Sequence, residues 1–148
     1  MDPSHKFLFV ALTNVNEIAV FTIDAASGAL TPITGSPFAA GNEPLDLAID
    51  ASGKFLYTNN GGSSNTVSGF SIDPNSGALT ELSGSPFAAG TAPARLAIDS
   101  AGRLYVSNNT HSGTISAFNL DSASGALTPI SGSPFAAGTQ PLALSAGH

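Results

Sequence analysis

Apolar and polar positions alternate in short runs along this chain, and the runs recur in a fixed order. In the middle third, Leu45-Asp-Leu-Ala-Ile49 alternates, Asp50-Ala-Ser-Gly53 interrupts it, and Lys54-Phe-Leu-Tyr-Thr58 alternates again. Period-two alternation marks a half-buried strand, and two such runs around a short polar break containing glycine predict a hairpin. Gly53 suits a positive φ there, and Asp50 can accept hydrogen bonds from the turn amides. Asn59-Asn-Gly-Gly-Ser-Ser-Asn65 reads as loop, followed by a third strand, Thr66-Val-Ser-Gly-Phe-Ser-Ile72, with apolar side chains at 67, 70 and 72. Asp73-Pro-Asn-Ser-Gly77 is a second turn and leads into a short fourth strand, Ala78-Leu-Thr-Glu-Leu82. No stretch keeps apolar residues at i, i+3 and i+4, so no helix is expected.

The order repeats because the sequence repeats. Thr34-Gly-Ser-Pro-Phe-Ala-Ala-Gly41 returns as Ser83 to Gly90 and Ser131 to Gly138, at intervals of 49 and 48 residues. Ser-Gly-Ala-Leu-Thr precedes each copy, at 27 to 31, 76 to 80 and 124 to 128. Four antiparallel strands in such a period make the blade of a β-propeller, in which each unit buries its face against a neighbour. The expected fold is all-β, a β-propeller of three four-stranded antiparallel blades, with units 2–49, 50–98 and 99–146. The repeated phrase would lie between the outermost strand of one blade and the innermost strand of the next. Phe38, Phe87 and Phe135 would then plug the gaps between blades, each burial contributing roughly 1.5 to 3 kcal/mol.

Several phrases also resemble a known family. Ile-Asp-x-x-Ser-Gly-Ala-Leu-Thr, Ser-Pro-Phe-Ala-Ala-Gly, Gly-Lys-Phe-Leu-Tyr-Thr-Asn-Asn and Arg-Leu-Tyr-Val-Ser-Asn-Asn are similar to the repeats of lactonase-like seven-bladed β-propellers, including the Tyr-Val-Thr-Asn repeat proteins. The resemblance covers nearly the whole chain and speaks to fold more than to function, because one blade type serves many roles. In enzymes of that family an innermost strand begins Pro-Arg-His, whose polar groups reach the mouth of the central channel. The corresponding triplets here are Pro44-Leu-Asp46, Pro93-Ala-Arg95 and Pro141-Leu-Ala143, so the Arg-His pair is missing. Arg95 stands in the place of the family histidine and cannot act as a base, because a guanidinium does not give up its proton in a protein.

The first unit starts at its turn, Asp2-Pro-Ser-His-Lys6 aligning with Asp50-Ala-Ser-Gly-Lys54, while Pro141-Leu-Ala-Leu-Ser-Ala146 reads as an innermost strand with no blade after it. Three blades fall short of the four to eight that close a ring. The chain itself is therefore the expected partner: a head-to-tail homodimer forming a six-bladed ring, with 141–146 completing the first blade of the other copy. A piece excised from a longer propeller, or an engineered part, is the alternative. The near-identity of the repeats, the lack of a signal and the cut at a turn favour it.

Composition narrows the functions. A net charge of -6 with four basic residues, Lys6, Lys54, Arg95 and Arg103, argues against nucleic acid as a partner. No run approaches the length of a membrane span, and the start lacks the pattern of a secretory signal. No membrane partner is expected, and with no cysteine to suggest a redox environment the compartment stays open.

Six of the ten carboxylates fall in repeating turns: Asp2, Asp50 and Asp99 in one, Asp24, Asp73 and Asp121 in the other. They read as architecture, and Glu17, Glu43, Asp46 and Glu81 remain. Asp73-Pro-Asn-Ser-Gly77 resembles the start of a calcium loop but lacks the glycine and glutamate that complete one, so a plain turn is favoured. His5, His111 and His148 lack metal-ligand spacing, and no Gly-x-Ser-x-Gly elbow is present, so neither metal nor cofactor is expected. Asn108-Asn-Thr110 matches a glycosylation acceptor and reads as chance.

Glu43, Asp46 and Arg95 are the candidate ligand-binding residues, at the channel mouth. Asp46 and Arg95 would sit at equivalent places on adjacent innermost strands, as a weak ion pair or as an anchor for a small ligand. The leading expectation is a self-assembling structural module that is not an enzyme. A ligand-binding propeller using loops 59–65 and 108–113 comes next. A lactone hydrolase, drawn from the resemblance alone, comes third.

Overall fold

The computed structural model describes residues 5–146, so Asp2 and His148 lie outside the described residues. Three antiparallel sheets follow one another along the chain. The first holds β1 (Phe7–Leu12), β2 (Glu17–Ile23), β3 (Leu30–Pro32) and β4 (Phe38–Ala39). The second holds β5 (Pro44–Ile49), β6 (Phe55–Asn60), β7 (Thr66–Ile72), β8 (Leu79–Glu81) and β9 (Phe87–Ala88). In the third are β10 (Pro93–Ile98), β11 (Arg103–Asn108), β12 (Thr114–Leu120), β13 (Leu127–Pro129) and β14 (Phe135–Ala136). Strand order is sequence order, β5-β6-β7-β8 and β10-β11-β12-β13, while the first sheet runs β1-β2-β3 with no counterpart of β5 or β10 among the described residues. The only helical element among the described residues is a single 3-10 turn, Thr13–Val15.

The repeated phrase sits elsewhere than expected. It belongs to the blade, where it completes the outer edge: β4, β9 and β14 pair with β2, β7 and β12, beside β3, β8 and β13. The outer strand is thus split in two around the Gly-Ser-Pro segment. Gly35, Gly84 and Gly132 turn the chain out at φ +87, +86 and +85, a region closed to most side chains. The phrase's first serine after glycine then fills the gap. Ser36, Ser85 and Ser133 Oγ accept the N–H of Val20, Gly69 and Ala117 at 2.8, 3.1 and 2.9 Å. A strand amide left open by the bulge is satisfied by a side chain, as buried amides require.

The phenylalanines do reach the seams. One apolar cluster joins the first and second sheets through Phe7, Phe9, Ile18, Val20, Leu56, Phe70, Ile72 and Leu79, with Phe38 packed against it. A second joins the second and third sheets through Phe55, Tyr57, Val67, Leu96, Leu104, Val106, Phe118 and Leu127, with Phe87 alongside. Phe135, with no following sheet among the described residues, is 44% exposed. Each core is therefore an interface between blades, as a repeat architecture demands.

The chemistry repeated in the turns lies at the opposite end from the linkers between blades. In Asp24-Ala-Ala-Ser27, Asp24 Oδ1 accepts the Ser27 amide and hydroxyl at 2.8 and 2.7 Å, and the same set recurs at Asp73/Ser76 and Asp121/Ser124. The resemblance to a calcium loop at Asp73 thus resolves as a hydrogen-bonded turn. Gly28, Gly77 and Gly125 close these turns at φ +72, +75 and +74. Asp50 accepts the amides of Ser52 and Phe55, and Asp99 those of Ala101 and Arg103. Gly53 takes φ 71 in the first of these, as expected. The third blade's turn is one residue tighter, since Asp99 N–H bonds Arg103 O where Asp50 N–H bonds Phe55 O.

Ser27 and Ser124 hydroxyls, and the Ser76 amide, hold Asp24, Asp121 and Asp73 below the ordinary Asp value of 3.8. A depressed folded pKa stabilises the fold above the unfolded value and loses that contribution as pH falls through the folded one. The thermal midpoint should therefore be level near neutrality and fall below pH 3.8. In the triple variant Asp24→Asn, Asp73→Asn, Asp121→Asn that acid limb should be shallower; an identical limb would refute the assignment. Truncating Phe55, 5% exposed in the second seam, should cost about 3 to 5 kcal/mol in denaturant titration. Val15→Ala, 57% exposed, should change stability by less than about 0.5 kcal/mol.

Candidate functional site

The innermost strands β5 and β10 start from the linkers 40–43 and 89–92, at the same end of the blades as the β6–β7 loop 61–65. Pro44 and Pro93 pair with Asn60 and Asn108, and a bulge follows before Asp46 and Arg95 meet Asn59 and Ser107. The bulge re-aims the side chains at the strand's start, a common device at sites. Glu43, Asp46 and Arg95 are thus gathered at one end of adjacent inner strands.

Asp46 and Arg95 do not form an ion pair. Asp46 Oδ1 accepts the Leu47 amide at 3.0 Å and Oδ2 the Leu96 amide of the next blade at 3.2 Å. Arg95 is exposed, and its Nη1 donates to Ala94 O at 2.8 Å. The carboxylate takes the Leu96 amide across the seam and not the guanidinium. Asp46 therefore ties β5 to β10, and Arg95 is left facing solvent. The ion pair found among the described residues joins Arg103 to Asp99 at 2.6 Å, in the turn at the far end of the third blade. Burial works against the Asp99 charge, yet the hydrogen bonds and charge of Arg103 hold its pKa below the ordinary value.

Glu43 lies in the linker at φ 49, in the left-handed region. Its amide donates to Asn16 Oδ1 at 2.8 Å, and its carbonyl accepts the Gly61 amide at 2.8 Å. Its carboxylate lies over Gly62, where an added Cβ would be 3.0 Å from Oε2. The same clasp recurs one blade on, where Asn65 Oδ1 accepts the Ala92 amide at 3.0 Å. These asparagines were missed in the sequence. Their signal was an Asn directly before the third strand, at 16 and 65, replaced by Gly113 in the third blade.

The Asn-Asn pairs were also misread as loop. Asn59 and Asn60 end β6 and Asn108 ends β11, all buried. Asn60 Nδ2 donates to Thr66 and Ser68 hydroxyls and Asn108 Nδ2 to Thr114 and Ser116, while Asn59 Nδ2 donates to Pro93 O across the seam at 2.8 Å. Gly41 and Gly90 lie so close over Asn60 and Asn108 that a Cβ would fall 2.2 Å from the amide, which explains the glycine ending each phrase. The binding loops shrink accordingly to 61–65 and 109–113. His5 and His111 are exposed and stand apart, and no group of three or more His, Asp or Glu that could hold a metal occurs among the described residues. No helix among the described residues is long and apolar enough to cross a membrane.

The family described as lactonase, 7-bladed beta-propeller, matches residues 1–90 and again 38–144. The chain belongs to this lactonase family. A Formosa agariphila 6-phosphogluconolactonase is 39% identical over 69 residues, 45% of this chain and 19% of that protein. A candidate 6-phosphogluconolactonase of Bacteroides uniformis superposes with TM-score 0.82 at 22% identity, over 95% of this chain and 41% of its own. Another, from Bacteroides fragilis, gives 0.79 at 25% identity over 88% and 36%. This lactonase-family chain spans about two fifths of the length of such structures.

The expectation of a non-enzymatic chain is thereby corrected, since the relatives are named as lactone hydrolases. The missing Arg-His pair was taken as absence of an enzyme. The chain spans about two fifths of the length of such structures, so its three triplets do not decide the question.

Asp46→Ala should destabilise the lactonase-family chain by about 1 to 2 kcal/mol, because the Leu96 amide loses a charged acceptor. Arg95→Ala should stay within about 0.5 kcal/mol. Paired urea titrations check this, and equal losses would refute the division of roles.

Proposed function

We propose that this chain contributes three blades to a lactone-hydrolysing propeller acting on phosphorylated sugar lactones. The family match over residues 1–144 supports the reaction class, and the printed name of the Formosa agariphila relative supports the substrate class. The observation that carries the residue assignment is the exposed Arg95 at the start of an inner strand, without a carboxylate partner among the described residues. A planar guanidinium is suited to bidentate capture of a phosphate.

In this reading Arg95 holds the phosphate and Glu43 is the general base. Glu43 takes a proton from water as the water oxygen adds to the lactone carbonyl. The tetrahedral oxyanion then collapses, the ring C–O bond breaks, and the released alkoxide takes up a proton, giving a hydroxy acid. Asp46 is the positioning residue, because both its oxygens already accept backbone amides. Water addition to a lactone needs only a base and a charge to hold the substrate.

Hydrolysis of 6-phosphogluconolactone above the spontaneous rate is expected. Glu43→Gln should lower kcat at least about 100-fold, and Arg95→Ala should raise KM about tenfold or more for the phosphorylated lactone only, as loss of one charged contact implies. Turnover unchanged in both variants would remove these residues, and no turnover on any sugar lactone would overturn the function.

A further inference from the structure

One turn of the first blade grips the linker that leads into the second. Asn16 follows the 3-10 turn Thr13–Val15 and takes φ 61, a region that asparagine tolerates better than most residues. Its carbonyl accepts the Ala40 amide at 2.8 Å, and its side-chain Oδ1 accepts the Glu43 amide at 2.8 Å. Thr13 Oγ1 adds a bond to Pro44 O at 2.8 Å, while Glu43 O accepts the Gly61 amide at 2.8 Å. The linker 40–44 is thereby held at both ends, from the turn on one side and from the loop on the other.

The grip imposes a conformation that the linker would not choose by itself. Glu43 precedes a proline, which favours extended backbone at that position, yet it lies at φ 49. A glutamate in the left-handed region persists where its surroundings over-determine it. There the carboxylate lies over Gly62, itself at φ 58, with Oε2 3.0 Å from the place of a Cβ. Extended backbone at 43 would carry the carboxylate away from that loop.

The next linker is gripped in the same way but carries no carboxylate. Asn65, at φ 52, accepts the Ala89 amide on its carbonyl at 2.9 Å and the Ala92 amide on Oδ1 at 3.0 Å, and Ala92 lies at φ 56. Ala92 O accepts the Asn109 amide at 2.8 Å, as Glu43 O accepts that of Gly61. Pro93 O takes Asn59 Nδ2 where Pro44 O takes Thr13 Oγ1. The grip thus belongs to the blade type, and of these two linkers the first uses it to present a charge.

We propose that Asn16 is a positioning residue for Glu43, its side-chain oxygen holding the linker in the left-handed bend that keeps the Glu43 carboxylate over Gly62. This rests on the reading of Glu43 as general base and adds to it a residue of the preceding blade that acts through the main chain. Fixing the base matters because a displacement of about 1 Å can cost on the order of 100-fold in rate. The acceptor lies 27 residues from the amide it takes, so the base is set by the seam and not by its own strand.

The test compares Asn16→Gly and Asn16→Asp with the parent 148-residue chain, with far-UV circular dichroism on each. Glycine keeps the left-handed bend and removes only the acceptor, whereas aspartate keeps both. Asn16→Gly should lower kcat for 6-phosphogluconolactone about tenfold with KM within about twofold, because the base moves while the phosphate anchor stays. Asn16→Asp should return kcat to within about threefold of the parent at about pH 8, where both carboxylates are ionised. Amide hydrogen exchange supplies a readout that needs no turnover. In Asn16→Gly the Glu43 amide should exchange about tenfold faster or more, while the Ala40 amide, bonded to the main chain of residue 16, stays within about threefold. Unchanged kcat or unchanged Glu43 exchange in Asn16→Gly, a loss that aspartate does not restore, or equal acceleration of both amides would overturn the proposal. If the parent chain turns over no lactone, the proposed activity falls, and the exchange of the two amides alone decides whether Asn16 holds Glu43.

Discussion

Every stabilising feature of this molecule depends on one constraint: a blade has two apolar faces and can bury neither by itself. The two clusters of buried side chains are both shared between neighbouring sheets. The cost of an unmatched face is visible at the ends of the array, where Leu30 and Phe135 stay half exposed while their counterparts are covered. The hydrophobic effect therefore stabilises the array through the contacts that neighbouring blades share.

The two ends of the blades divide the labour. At one end the Asp-x-x-Ser-Gly turns are closed, each carboxylate consumed by its own turn. At the other end the linkers are held by Asn16, Asn65 and the buried Asn59 and Asn60, which leave Glu43 and Arg95 directed outward. Polar residues engaged by the fold make a scaffold, and those left exposed at a rigid end are the candidates for a site. The repeats build the first class, and the positions where one blade differs from its sisters supply the second.

The alternation of Leu45–Ile49 and Lys54–Thr58, the Gly53 turn and the third strand at 66–72 were legible because period two and turn glycines are local properties. Asn59 and Asn60 were not, because a polar residue at the end of a strand becomes buried only when Gly41 of the linker crosses it. Phe38 was read into the seam correctly, yet the phrase around it was placed outside the blade, since a split outer strand has no local signature. The Asp46–Arg95 pairing failed for a similar reason: the Leu96 amide competing for Asp46 belongs to another blade.

Sequence alone determined the unit, its strand order and its number, because a duplicated phrase at a period of 49 and 48 residues leaves little else to build. Tertiary structure decided which polar groups remain available. That choice turns on amides and glycines brought together across seams, where residues some fifty positions apart in sequence become neighbours.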